Sequence, residues 1–227
     1  CALPISPIRI ADMQPGLSSV RMPDGTLNRV TGSAGNDIVR GHKMPADLQG
    51  EYLYGEPVAR IVRRIHPTVT EGVTTLANAY KWNEFIKSTD PLFRPVDMAT
   101  APDGTVYIVD MYRGIIQESQ WSAPIGTYLR ARVDQYQLDK LHSMGRVWRL
   151  SYESLGRDKT VPRMNTQTAA QLVANLSHPN GWWRDTAQQL LILKQDKTVV
   201  PALQKLATAT SKDADRKSTR LNSITLE

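Results

Sequence analysis

The chain has 227 residues, 41% of them hydrophobic and 22% charged, with a formal net charge of +6 from 28 Lys and Arg against 22 Asp and Glu. No apolar run approaches the roughly 18 residues a spanning helix needs, and the one cysteine, Cys1, excludes an intrachain disulfide, a cysteine zinc cluster or an iron–sulfur centre. The basic excess is spread along the chain, and its densest run, Arg60 to Arg64, alternates with apolar residues as a solvated strand face does, so no nucleic-acid partner is expected.

Residues 1–6 (CALPIS) and 209–227 (closing on RKSTRLNSITLE) continue no neighbouring pattern. They read as non-native tails, the second disordered, of the kind translated adapter leaves on metagenomic reads. The chain is therefore expected to be a fragment of a longer protein. Met22-Pro23-Asp24-Gly25-Thr26-Leu27 is a turn in which proline sets φ and glycine is free to take the left-handed position. Segment 50–65, GEYLYGEPVARIVRRI, reads as two short strands around Gly55-Glu56-Pro57. Ile61 and Ile65 alternate with basic residues, so one side of the second strand packs while the other meets water. Segment 76–90 places Trp82, Phe85 and Ile86 on one helical face and reads as a helical insertion.

Pro102-Asp103-Gly104-Thr105 repeats the earlier turn and leads into Val106-Tyr107-Ile108-Val109-Asp110, apolar nearly throughout and expected to be a strand buried on both faces. A second helical insertion lies near 124–142, where Leu129, Val133 and Tyr136 recur at helical spacing. Another strand follows at 145–150. Its Arg-Val-Trp-Arg-Leu order echoes Arg60-Ile61-Val62-Arg63. Segment 153–165 is a polar linker ending near Val161-Pro162. Three helical stretches then occupy 166–176, 182–193 and 198–207, broken by His178-Pro179-Asn180-Gly181 and by Asp196-Lys197.

Short strands with recurring Pro-Asp-Gly turns argue for radial repetition, and ten-residue helices with short connections argue for stacked repeats. The expected fold is mainly β plus α: the C-terminal blades of a partial β-propeller over 7–152, then a short α-solenoid of HEAT-like repeats over 166–208. The alternative is an ordinary β-sandwich whose Pro-Asp-Gly turns coincide.

The runs FRPVDM (93–98), PDGTVYIVDMYRGIIQ (102–117) and HPNGWWRDTAQ (178–188), with Arg40-Gly41-His42-Lys43-Met44-Pro45 and Glu56-Pro57-Val58, carry a resemblance. The chain resembles the large "membrane-bound dehydrogenase" or haem-binding proteins of planctomycetes and verrucomicrobia. That resemblance implies a propeller similar to those of glucose and sorbosone dehydrogenases, then HEAT-like repeats and a c-type cytochrome domain. It further implies export to a periplasmic or extracellular setting and a quinone-linked sugar or polyol dehydrogenase activity, with PQQ and calcium as cofactors of the full-length protein. No Cys-x-x-Cys-His is present, so haem c and its cytochrome domain would belong to sequence outside this chain. The reading from another class is a non-catalytic scaffold that binds a carbohydrate or a protein.

Under the dehydrogenase reading, Asp110 and Arg113 at a strand end, with His42 as the base, are the catalytic candidates. Arg94, Asp97 and Tyr112 are the candidates for binding substrate or cofactor. Each has a structural counterpart: an Asp–Arg pair capping the strand, and Arg94 with Asp97 tying neighbouring strands together. His66, His142 and His178 have no metal-ligand spacing, and His178 reads as a turn residue. Tyr52, Tyr54, Tyr80, Trp82 and Tyr112 would form either a sugar-stacking surface or packing.

Overall fold

The computed structural model describes residues 32–80, 83–88, 90, 92–115 and 128–208. Both tails, the turn at 22–27, Trp82 and Ile116–Gln117 lie outside them. The chain divides into two compact units interleaved in sequence. The first takes the chain to Val39, then Gly50–Ala99 and Val106–Leu150; the second takes Arg40–Gln49, Thr100–Thr105 and the chain from Ser151.

In the first unit, strands β1 (Ala34–Ile38), β2 (Tyr52–Glu56), β3 (Ile61–Thr70) and β4 (Val73–Asn78) form an antiparallel meander in that order. The ten-residue β3 pairs with β2 on one edge and with two further strands on the other. Its first residues, Ile61 and Val62, pair with Lys87 and Ile86 of β5 (Ile86–Lys87), and its distal half pairs with β4. Glu71 and Gly72 join β3 to β4 with φ of 51° and 82°. Two successive positive φ values give a two-residue turn whose twist matches that of the flanking strands, and the β-branched Val69, Thr70, Val73, Thr74 and Thr75 favour extension on either side. The stretch read as a helix over 76–90 thus holds the end of β4 and the short β5.

Nor does β3 have a wet basic face. Arg60 and Arg63 are buried beside Ile61, Val62 and Ile65. Arg63 forms a two-pronged pair with Glu84, and Arg64 Nε donates to Glu51 Oε2 at 2.8 Å. Paired guanidinium groups can occupy positions where a lone one would have to stay in water.

The second sheet runs β6 (Pro95–Thr100), β7 (Val106–Asp110), β8 (Arg146–Leu150), with Val106 opposite Leu150 and Asp110 opposite Arg146. Val106, Ile108 and Asp110 are buried while Val109 is exposed, so β7 is covered on one face, unlike the doubly buried strand expected. A cross-strand partner shares its residue's face, which makes Val147, 61% exposed opposite Val109, part of the same open side. Helix α1 (Tyr128–Tyr136) buries Val133, which packs with Leu92 and Leu138.

In the second unit, α2 (Ala169–Asn175), α3 (Gly181–Lys194) and α4 (Val200–Thr208) surround one core of Met164, Leu172, Leu176, Trp183, Ala187, Val199 and Leu203. Thr168 and Gln171 make a reciprocal capping box at α2. Asn180 caps α3: it accepts from Trp182 N at 3.0 Å, while its amide donates to Ala101 O at 2.9 Å and Pro102 O at 3.2 Å. Ala101–Gly104 is the expected tight turn. Gly104 has φ +83° and donates its amide to Ala101 O, and Asp103 accepts from the Thr105 amide and hydroxyl.

Two expectations about architecture are overturned. The sheets are two small open antiparallel sheets of five and three strands, different in size and order, and not copies of one blade. The three C-terminal helices share a single core, whereas a solenoid stacks repeats that each bury a face against the next. The described residues form a mixed α/β structure with neither a propeller nor HEAT-like repeats.

Candidate functional site

The sequence candidates fall in different places. In the first unit, β7 ends at Asp110, which is 1% exposed. Its Oδ1 accepts the amides of Arg94 at 2.7 Å and Tyr112 at 2.8 Å, and its Oδ2 accepts Trp148 Nε1–H at 2.9 Å. The amide bonds turn the chain after β7 and hold Tyr112 at a left-handed φ of 46°, unusual for a side-chain-bearing residue. Both carboxylate oxygens are thereby committed to donors of the fold.

Arg94, 5% exposed, is equally committed. Its guanidinium donates to Arg113 O at 2.9 Å, Pro57 O at 2.6 Å and Gly114 O at 2.7 Å. Burial pushes its pKa down to about 10, opposed by the charges of Asp110 and Glu56, and it remains a cation at neutral pH. Arg113 contributes its carbonyl here, and its side chain lies on the exposed side of the loop. Tyr112 donates its hydroxyl to Asp90 Oδ2 at 2.8 Å, and Arg146 stacks on its ring with the guanidinium carbon 3.5 Å from the centroid. The structure thus gathers Arg94, Asp110 and Tyr112. Asp97 is exposed and accepts from the next amide, Met98 N, at 2.8 Å.

His42 belongs to the second unit. Its Nε2 lies 3.3 Å from Asp158 Oδ2, and its ring stands edge-on to His178 with centroids 5.6 Å apart. His178 stacks on Trp183 at 5.0 Å and accepts the Asn180 amide on Nδ1 at 3.0 Å, which places its proton on Nε2. Beyond a turn residue, His178 is therefore a packed member of the helical core's edge. Nearby, Arg40 pairs two-pronged with Asp185.

Desolvation, and then the His42 charge, hold His178 below the usual histidine pKa. A base whose folded pKa is depressed binds its proton more readily when unfolded, so stability falls as pH drops through the unfolded value and levels off below the folded one. The expected result is a wild-type denaturation midpoint that declines below about pH 6.5 more steeply than that of His178→Gln, with the two curves parallel above it. Parallel curves across the acid range would remove His178 as the source.

Arg146, Trp148 and Asp90, absent from the sequence candidates, belong to the Asp110 network. The signal for Arg146 and Trp148 is the β7–β8 pairing, which sets Arg146 opposite Asp110, whereas Asp90 joins only through the Tyr112 hydroxyl. Among the described residues, no group of three or more His, Cys, Asp and Glu side chains is placed to hold a metal ion, and no helix is long and apolar enough to cross a membrane.

Open antiparallel sheets, a three-helix core and polar groups tied into backbone turns define a mixed α/β protein whose buried charges hold its loops. Residues 4–154 match the family described as a domain of unknown function, DUF7133, and the chain belongs to that family. No curated protein and no solved structure matches the chain. The resemblance to propeller dehydrogenases is therefore corrected: the matching family carries no assigned function, and the sheets are open. The redox-linked sugar or polyol dehydrogenase reading falls with it.

Proposed function

We propose that this chain is a non-catalytic binding module, a scaffold that presents side chains to a carbohydrate or protein partner outside the cytoplasm. The observation that carries this reading is the commitment of Asp110 and Arg94: carboxylate and guanidinium are buried and bonded to amides, carbonyls and an indole of the fold. A general base needs a lone pair within reach of the substrate proton. Here the lone pairs of Asp110 already hold three donors. The exposed surface, by contrast, includes Trp148, Val147 and Val109 on the second sheet, and Val69, Val73 and Leu76 on the β3–β4 hairpin, the kind of side chains that recognise partners.

The test pairs affinity electrophoresis in immobilised polysaccharides with dye-linked reduction assays on sugars and polyols, with added quinone and calcium. Retention without dye reduction is the expected result. Sugar-dependent dye reduction that disappears in a folded Asp110→Asn variant would overturn the reading.

A further inference from the structure

Arg146 and Trp148 lie two residues apart on β8 and so on one face of the strand. The Arg146 guanidinium carbon is 3.5 Å from the Tyr112 ring centroid and 5.6 Å from that of Trp148. Both aromatic rings are anchored. Tyr112 is tied through its hydroxyl to Asp90 and through its amide to Asp110, and Trp148 through its indole N–H to Asp110. One buried carboxylate therefore sets the positions of both rings around the cation.

A guanidinium stacked face-on still presents its in-plane N–H groups to a further acceptor. Among the described residues no carboxylate forms an ion pair with Arg146, whereas Arg40, Arg63, Arg64 and Arg130 all have one. Trp148 is 46% exposed although its polar end is already bonded, so what it offers to solvent is the apolar ring. A fixed cation with no carboxylate ion-paired to it, beside an immobilised flat apolar surface, is complementary to a ligand that is flat and apolar on one side and anionic at its edge.

We propose that Arg146, Trp148 and Tyr112 form a subsite for an acidic sugar residue. The C–H face of a uronate pyranose stacks on the Trp148 indole, and its carboxylate accepts paired hydrogen bonds from Arg146, whose orientation Tyr112 fixes. A neutral sugar would leave the guanidinium without its anion. An acidic peptide would meet the charge but has no use for the ring plane. The inference rests on the binding-module reading and names the chemistry of its ligand.

Isothermal titration of the full chain with oligogalacturonate, neutral dextran oligomers and poly-glutamate at one fixed ionic strength tests it. Oligogalacturonate is expected to bind, and Arg146→Gln or Trp148→Ala to weaken it by about tenfold or more, the usual worth of a charge-assisted hydrogen bond. Trp148→Phe, which keeps a ring, should retain most of the affinity, and Leu193→Gln, at an exposed position of α3, should match wild type. Thermal midpoints near wild type identify the variants that are folded. Poly-glutamate binding as tightly as oligogalacturonate, binding indifferent to both Arg146→Gln and Trp148→Ala, or no oligogalacturonate binding would each overturn the subsite. Dextran binding without oligogalacturonate binding would overturn the subsite and leave the binding-module reading standing; sugar-dependent dye reduction is the result that removes both.

Discussion

Arg94→Ala is expected to destabilise the chain by about 3–5 kcal/mol, read as a lowered denaturation midpoint at neutral pH, because hydrogen bonds to a charged donor contribute roughly 1.5–3 kcal/mol each. The side chain is 5% exposed and joins the carbonyls of Pro57, Arg113 and Gly114. Those oxygens come from the loop after β2 and the loop after β7, so one guanidinium ties together segments far apart in sequence. Truncation leaves the carbonyls facing a void that water does not readily fill. The loss is below the sum of the bonds because burying the cation already costs desolvation, the cause that lowers its pKa to about 10. Arg94→Lys should recover less than half of it, since an ammonium on a flexible stem cannot bridge acceptors on several sides of a planar fork. A midpoint within about 1 kcal/mol of wild type for Arg94→Ala would mean that the loops hold each other without it.

How far the fold could be read from the sequence depended on whether each signal was local. The Ala101–Gly104 turn was legible because proline, aspartate and glycine each constrain their own backbone, and Gly104 takes the positive φ that such a turn needs. The breaks around α3 were legible for the same reason, since Pro179, Asn180 and Gly181 stop one helix and cap the next. Sheet closure is not local. Recurring Pro-Asp-Gly turns and short strands say where strands begin and nothing about how many pair or whether a sheet closes, and the resemblance that also implies a propeller rests on local motifs of the same kind. Segment 76–90 misleads for a related reason: Trp82, Phe85 and Ile86 at helical spacing outweigh Glu71-Gly72, the hairpin turn upstream that commits Val73–Asn78 to a strand. At the site, Asp110, Arg94 and Tyr112 stood out by residue type. Their roles did not, because the acceptors of Arg94 are backbone carbonyls, which no side-chain pattern records. Trp148, 38 positions beyond Asp110, reaches it only through the β7–β8 register.

Asp110→Ala is the second large effect, expected at about 3–4 kcal/mol from three donors left without an acceptor, at roughly 1–3 kcal/mol for each buried unsatisfied group, less what water recovers at the half-exposed Trp148 end. Asp110→Asn distinguishes the two ends of the carboxylate. Its side-chain oxygen can still accept the Arg94 and Tyr112 amides, preserving the turn after β7, but its NH2 then faces the Trp148 indole N–H donor to donor. The asparagine variant should therefore retain about half the stability lost in the alanine variant, while freeing the Trp148 ring, which shows as a red-shifted tryptophan emission that Trp148→Phe abolishes. The effects of Arg94→Ala and Asp110→Ala should fall short of additive, because both act on the same two loops. Additivity within about 0.5 kcal/mol would separate the two groups and make Asp110 a cap of β7 alone. Sub-additivity would make the loop network one cooperative unit, and that unit is what holds Tyr112 and Trp148 beside Arg146.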